Sequence, residues 1–384
     1  MGTSKTPWSA GSALRSAHVR FDQPNAIDTL QEALGEEDFA LILVFACHEA
    51  DFPKTIAEVA QRFPDAQVVG CTTAGEISSE GYADGEIVIA ALPRALFSVQ
   101  TLLVPNLSEI TSESLVGDLI RARAALARRT DGMEHEFCFL AIDGLSLKED
   151  ELMTAIAPGL GAMPLFGGSA GDGEEFRHTF VSLGGDVYQN AAVLTLVRTR
   201  CPIKVFSLDH LVPTETRMVV TKADTSRRLV HEINAEPAAR EYARILGKDP
   251  EQLDTNTFAS HPVVVRIGGT HHVRAIQTVE DSDDLVFFSA IDEGLVLTLA
   301  EPTNMAEHLE REFAIMADAG PLDSILACDC LLRRIEAEQM QQTTRISGIL
   351  RKNHVVGFAT YGEQTDSKHV NHTMTGVAIY MPES

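Results

Sequence analysis

The stretch that decides the fold runs from Asp38 to Cys71 and reads DFALILVFACHEADFPKTIAEVAQRFPDAQVVGC. Ala40 to Ala46 is a continuous apolar run of strand length. Lys54 to Phe63 places Ile56, Val59, Ala60 and Phe63 at helical spacing, and Gln67 to Cys71 is apolar again. A strand, a helix and a second strand in that order define an α/β chain.

The same alternation continues outward. Ile87 to Leu92 and Phe97 to Val104 read as a hairpin around Pro93-Arg94, followed by a helix from Ser112 to Arg128, a strand at Phe137 to Asp143 and a helix from Glu149 stopped by Pro158 and Gly159. Short β-like runs follow at Thr179 to Leu183, Ala191 to Val197, Lys204 to Leu208 and Met218 to Lys222. The texture changes near Asn234: a helix at Pro237 to Leu246, then strands near Val263, His272, Leu285 and Leu295. Two helices, Met305 to Ala319 and Leu331 to Leu350, flank the strand Ser324 to Cys330, and strands at Val355 to Thr360 and Thr373 to Tyr380 close the chain. The expectation is two packed α/β domains with mixed β-sheets flanked by helices: an N-terminal arm over 1–37 with one short helix at Ala26 to Leu34, a first domain over 38–233 and a second over 234–384. No internal repeat is visible.

Composition narrows the function. Thirty-one Lys and Arg stand against 55 Asp and Glu, a net charge of −24 that repels a phosphate backbone, so nucleic acid is an unsuitable partner. The longest apolar run, Phe39 to Cys47, is far shorter than the roughly 20 residues of a spanning helix, and no apolar segment follows the first lysine as a secretory leader requires. A cytoplasmic protein is expected. The six cysteines sit in or beside apolar runs and read as small hydrophobes; Cys328 and Cys330 alone are close, a weak metal or redox signal.

Three motifs carry chemistry. Val69 to Gly85 (VGCTTAGEISSEGYADG) follows a strand with turn glycines and hydroxyls, where Gly70, Thr73, Gly75 and Glu76 are candidates to meet a ligand. Phe166 to Gly173 (FGGSAGDG) carries Gly167-x-Ser169-x-Gly171, the spacing of a nucleophile elbow. An elbow needs a helix after its serine, and this sequence instead enters a β-like run, so a hydrolase using Ser169 is the lesser reading. Glu149, Asp150 and Glu151 are consecutive acids expected to begin a helix and face water. P-loop, HExxH, GxGxxG and CxxCH patterns are absent, the last of which removes a covalent haem.

The third motif lies in the last third of the chain: Ile325 to Glu336 (ILACDCLLRRIE), Gly357 to Gln364 (GFATYGEQ) and His369 to Gly376 (HVNHTMTG). With the glycine-rich segments above, these resemble FIST proteins, and their wording is similar to the NosP branch. His272 and His372 depart from that pattern. The resemblance implies a sensory protein that binds haem b noncovalently, reads nitric oxide and regulates a histidine kinase or a cyclic-di-GMP enzyme. The alternative it leaves is a sensor of amino acids or another small metabolite without haem. It implies a shared ligand site from Gly70, Thr73, Gly75, Glu76, Gly168, Ser169, Asp172, Tyr361 and Glu363, with Arg266, Arg274 and Arg333 as cations for propionates. His369 is the first candidate for the axial ligand, with His210 and His261 as alternatives.

Overall fold

The computed structural model describes residues 12–280 and 282–382. The expected strand-helix-strand unit is present, as the strand Phe39–Cys47, the helix Phe52–Arg62 and the strand Gln67–Thr73, the two strands pairing in parallel. Asp51 caps the helix by accepting the Lys54 N–H, and Pro53 occupies its first turn. Both faces of the first strand are covered, which is why its nine residues are all buried and read as an unbroken apolar run.

That unit is built three times. A leading strand and a helix precede the parallel pair, a short hairpin follows it, and a last strand returns antiparallel beside the first of the pair. In the first copy these are Arg15–Arg20, Ala26–Leu34, the pair just described, the hairpin Glu76–Ser78 with Gly81–Ala83, and Glu86–Pro93. The second has Phe97–Val104, Ser112–Arg128, the strands His135–Ile142 and Leu165–Ser169 around the helix Glu149–Leu160, the hairpin Val181–Leu183 with Asp186–Tyr188, and Ala192–Thr199. The third has Ile203–Leu208, Met305–Asp318, Leu322–Cys330 and Val355–Thr360 around two helices, the hairpin Glu363–Thr365 with Lys368–Val370, and Met374–Tyr380. Each hairpin leaves its own unit and pairs with the second parallel strand of another: the first joins the third sheet, the second joins the first, and the third joins the second. The result is three six-stranded sheets of one strand order, interlocked in a ring.

Phe45, Phe139, Phe166 and Phe358 meet between the three sheets in one shared core, with Phe45 and Phe358 stacked at 4.6 Å, while helices cover the outer faces. At the middle the strand ends exchange backbone hydrogen bonds in a cycle. Ala74 N–H donates to Ala359 O (3.0 Å), Tyr361 N–H to Ser169 O (3.2 Å) and Gly171 N–H to Thr72 O (3.1 Å).

The sequence showed no repeat because only Thr73-x-Gly-Glu76 and Thr360-x-Gly-Glu363 survive as a shared wording, and because the third copy is interrupted. Between Ile203–Leu208 and the helix Met305–Asp318 lies an inserted eight-stranded antiparallel sheet with the helices Ala238–Leu246 and Thr255–Ser260. Residue 234, expected at a domain boundary, lies inside this sheet, on the turn between Leu229–Ile233 and Glu236–Pro237. Within the expected arm, the helix Ala26–Leu34 is present and residues 1–11 lie outside the described residues. The arm also holds a strand, Arg15–Arg20, missed because only Ala17 and Val19 turn inward from it. The helix Glu149–Leu160 runs through Pro158 and ends at Gly161, whose φ of +58° breaks it. The single helix expected over Leu331 to Leu350 is two, parted at Gln341 (φ +54°).

Candidate functional site

The ring of strand ends brings most of the sequence-predicted residues together. Asp172 accepts the Tyr361 hydroxyl and the N–H groups of Phe176, Arg177 and His178 at 2.8–2.9 Å. Burial pushes its carboxyl up, but those hydrogen bonds outweigh it and hold the group below the usual carboxylate range. Gly168 packs so closely that a Cβ there would stand 2.5 Å from Thr360 Cγ2. Gly75, at φ +129°, leaves room for the Arg334 guanidinium. Gly70 lies further back in its strand, against Ile56 and Ser182.

Glu76 and Glu363 are equivalent groups. Each accepts the hydroxyl of the threonine three residues earlier, and each accepts a backbone N–H at the entry to its unit's last strand, from Glu86 at 3.0 Å and from Thr373 at 3.2 Å. Both carboxyls thus clamp the base of an exchanged hairpin, with both oxygens bonded inside the protein. Burial is the largest influence on each and pushes Glu76 up to about 7 and Glu363 up to about 8.

The three hairpins place one side chain apiece at the same position: Tyr82 opposite Ile77, Val187 opposite Ser182, and His369 opposite Gln364. Val187 packs with the apolar side chains around the helix Phe52–Arg62. Tyr82 donates its hydroxyl to Asp329, and a buried chain of bonds continues from there. Arg333 Nε donates to Asp329 (2.7 Å) and its Nη1 to His210 Nδ1 (2.8 Å); His210 Nε2 and His372 Nε2 each stand 2.9 Å from Glu336. His210, Glu336 and His372 are near enough to one another for a metal ion. Their hydrogen bonding opposes one: a guanidinium has only donors, so His210 Nδ1 must accept and Nε2 must carry the proton it gives to Glu336. Burial foremost holds His210 down at about 4, and the two imidazoles hold Glu336 at about 2 against the upward push of its own burial. Arg333 and His210, both expected near a ligand, therefore belong to this charge-paired junction, in which Arg333 Nη2 and His372 Nδ1 are left without a partner.

The third junction is different. His369 is buried, its Nδ1 stands 3.2 Å from Gln364 Nε2, and its Nε2 has no partner; Gln364 Oε1 has none either. Burial lowers the imidazole, so it is neutral. The inserted sheet covers this junction. Arg228 ion-pairs with Glu149 at 2.6 Å and donates to Phe288 O; Asp150 accepts from Ala290 N–H (3.2 Å); Ser289 donates to Asn371, whose Nδ2 donates to Tyr361 O. Arg274 is half-buried here with no carboxylate in contact and an unpartnered Nε; burial pushes its guanidinium down.

The acids at 149–151 thus depart from expectation at Glu149, which is buried because Arg228 arrives from the inserted sheet. No signal in the sequence linked those two residues. Ser169 Oγ accepts from Gln364 Nε2 at 2.9 Å, so an amide stands between it and His369 and no base reaches the hydroxyl. His261 caps the helix Thr255–Ser260 with Nδ1 3.1 Å from Thr257 O, and Arg266 is exposed on the inserted sheet.

Two family models match the chain, the FIST N domain over residues 40–236 and the FIST C domain over residues 238–366. FIST domains are sensory ligand-binding domains, and the chain belongs to the FIST family. No curated protein matches it. Among the described residues, no helix is long and apolar enough to cross a membrane.

Proposed function

We propose that the chain receives its ligand at the His369 junction, that the ligand is noncovalent haem b, and that nitric oxide bound there is reported to a separate histidine kinase or cyclic-di-GMP enzyme. The observation that carries the site is the unpartnered, buried Nε2 of a neutral imidazole. A buried polar atom without a partner is costly in a finished core, and a metal ligand satisfies it.

The donor set fits the group. His369 would hold the iron, Arg274 and Arg228 would face the propionates, and Phe176, Phe288 and Tyr361, with ring centroids 4.8–5.9 Å apart, would supply apolar wall. When bound, haem supplies the iron that takes the gas. Gln364 sets the tautomer: with Oε1 turned to Nδ1 it accepts that proton and leaves the Nε2 lone pair free, an exchange of amide atoms that keeps the same shape. The NosP-like wording of His369 to Gly376 supports haem and nitric oxide over other ligands.

A second reading rests on Arg274. A half-buried guanidinium within electrostatic reach of Asp150 suits the carboxylate and amine of an amino acid. Absorption spectroscopy separates the two. A Soret band after haem titration, altered in His369→Ala with unchanged far-UV circular dichroism, is the expected result. A protein that stays colourless, yet melts higher with amino acids, would replace haem by the metabolite.

A further inference from the structure

We infer that Phe176 is the gate of the His369 junction, the residue whose displacement admits the ligand; this rests on the reading of that junction as the ligand site. Phe176 has φ +53°, a left-handed conformation that a bulky side chain rarely adopts. The surrounding loop enforces it. Asp172 gathers the N–H groups of residues 176, 177 and 178 onto one carboxylate, and that carboxylate is itself held by the Tyr361 hydroxyl.

What the held conformation achieves is the placement of one ring. Phe176 lies 4.8 Å from Tyr361 on the core and 5.7 Å from Phe288 on the inserted sheet, and those two rings are 5.9 Å apart. The chain beside each ring leads into the site. The Phe288 carbonyl accepts from Arg228, Ser289 donates to Asn371, and Tyr361 O accepts from Asn371, two residues from His369. Phe176 alone of the three is half-buried, so it is the member that can swing into water without unpacking a sheet. Tyr361 is the shared part: its hydroxyl sets the Asp172 loop while its ring receives Phe176. A ligand that presses on Tyr361 therefore also reaches the loop that holds the gate.

The test uses the ligand-free full chain. Phe176→Gly suits the positive φ and removes the ring, whereas Phe176→Ala removes the ring and keeps the backbone strain. Both should speed amide hydrogen exchange at residues 288–290 and 369–371 by about tenfold or more, with exchange in the central strand Phe39–Cys47 unchanged. Haemin as probe should then associate faster with both variants, with the same Soret maximum. Unchanged exchange in Phe176→Gly, or acceleration spread evenly over the chain, would overturn the gate. Haemin that binds neither variant nor the parent would instead end the haem reading, while the exchange data still decide whether Phe176 closes the junction.

Discussion

The Tyr82 and His369 junctions have the same backbone and different polar contents. At the first, a phenol, two carboxylates, two imidazoles and a guanidinium form one chain from Tyr82 to His372. At the second, the pair Arg228–Glu149 fills the role of Arg333–Asp329, but His369 Nε2, Gln364 Oε1 and Arg274 Nε have no partner. Both junctions bury polar atoms without a partner, Arg333 Nη2 and His372 Nδ1 at the first; what sets the second apart is that its imidazole meets an amide where the first has its imidazoles on a carboxylate.

The largest expected effect breaks the charge-paired junction. Arg333→Met strands the buried carboxylate of Asp329, leaves His210 Nδ1 without its donor and should cost about 3–5 kcal/mol by urea unfolding. Arg274→Met in the ligand-free protein should be neutral or stabilising, because its guanidinium has no carboxylate to abandon. Equal losses at both sites would erase the contrast.

Next comes pH. Glu76 and Glu363 hold protons more tightly folded than unfolded, so the folded state binds more protons between about 4.5 and 8. Stability should therefore fall as pH rises through 7 and 8, by an amount on the order of a few kcal/mol in total. Denaturant midpoints measured from pH 5 to 9 should flatten in Glu76→Gln/Glu363→Gln; a slope of the same size in the double variant would assign the effect elsewhere.

A smaller difference separates the equivalent residues themselves. Tyr82→Phe removes a hydroxyl bonded to buried Asp329 and should cost about 1–3 kcal/mol, whereas His369→Gln should cost about 0.5 kcal/mol without ligand, since only one ring nitrogen is engaged. The ranking reverses for haem retention, which His369→Gln alone should reduce. Of the same size as the His369 effect is Ser169→Ala, which loses one amide contact, about 0.5 kcal/mol by thermal melting. Any generic ester turnover by the chain should be the same in that variant, and its disappearance would revive the nucleophile.

Part of the site was legible. His369, Arg274, Ser169, Asp172 and Tyr361 stood out by residue type beside glycine turns and by family wording, and the fold brings them to the ring or the junction beside it. Arg333 was readable as a buried cation, yet its neighbours belong to the other junction. Arg228, Glu149 and Asn371 were invisible as a group, because an acid at a helix start and an arginine after a turn usually face water. What placed them inside was the inserted sheet.

Local periodicity by itself determined the α/β class and most of the long strands and helices, since an apolar run or a helical stripe depends only on neighbours a few residues away. Which sheet each hairpin joins, and which buried charges meet, only the tertiary structure decided. The free edge of a parallel strand accepts any strand that satisfies its N–H and C=O groups, and only the closed ring of three units settles which one arrives.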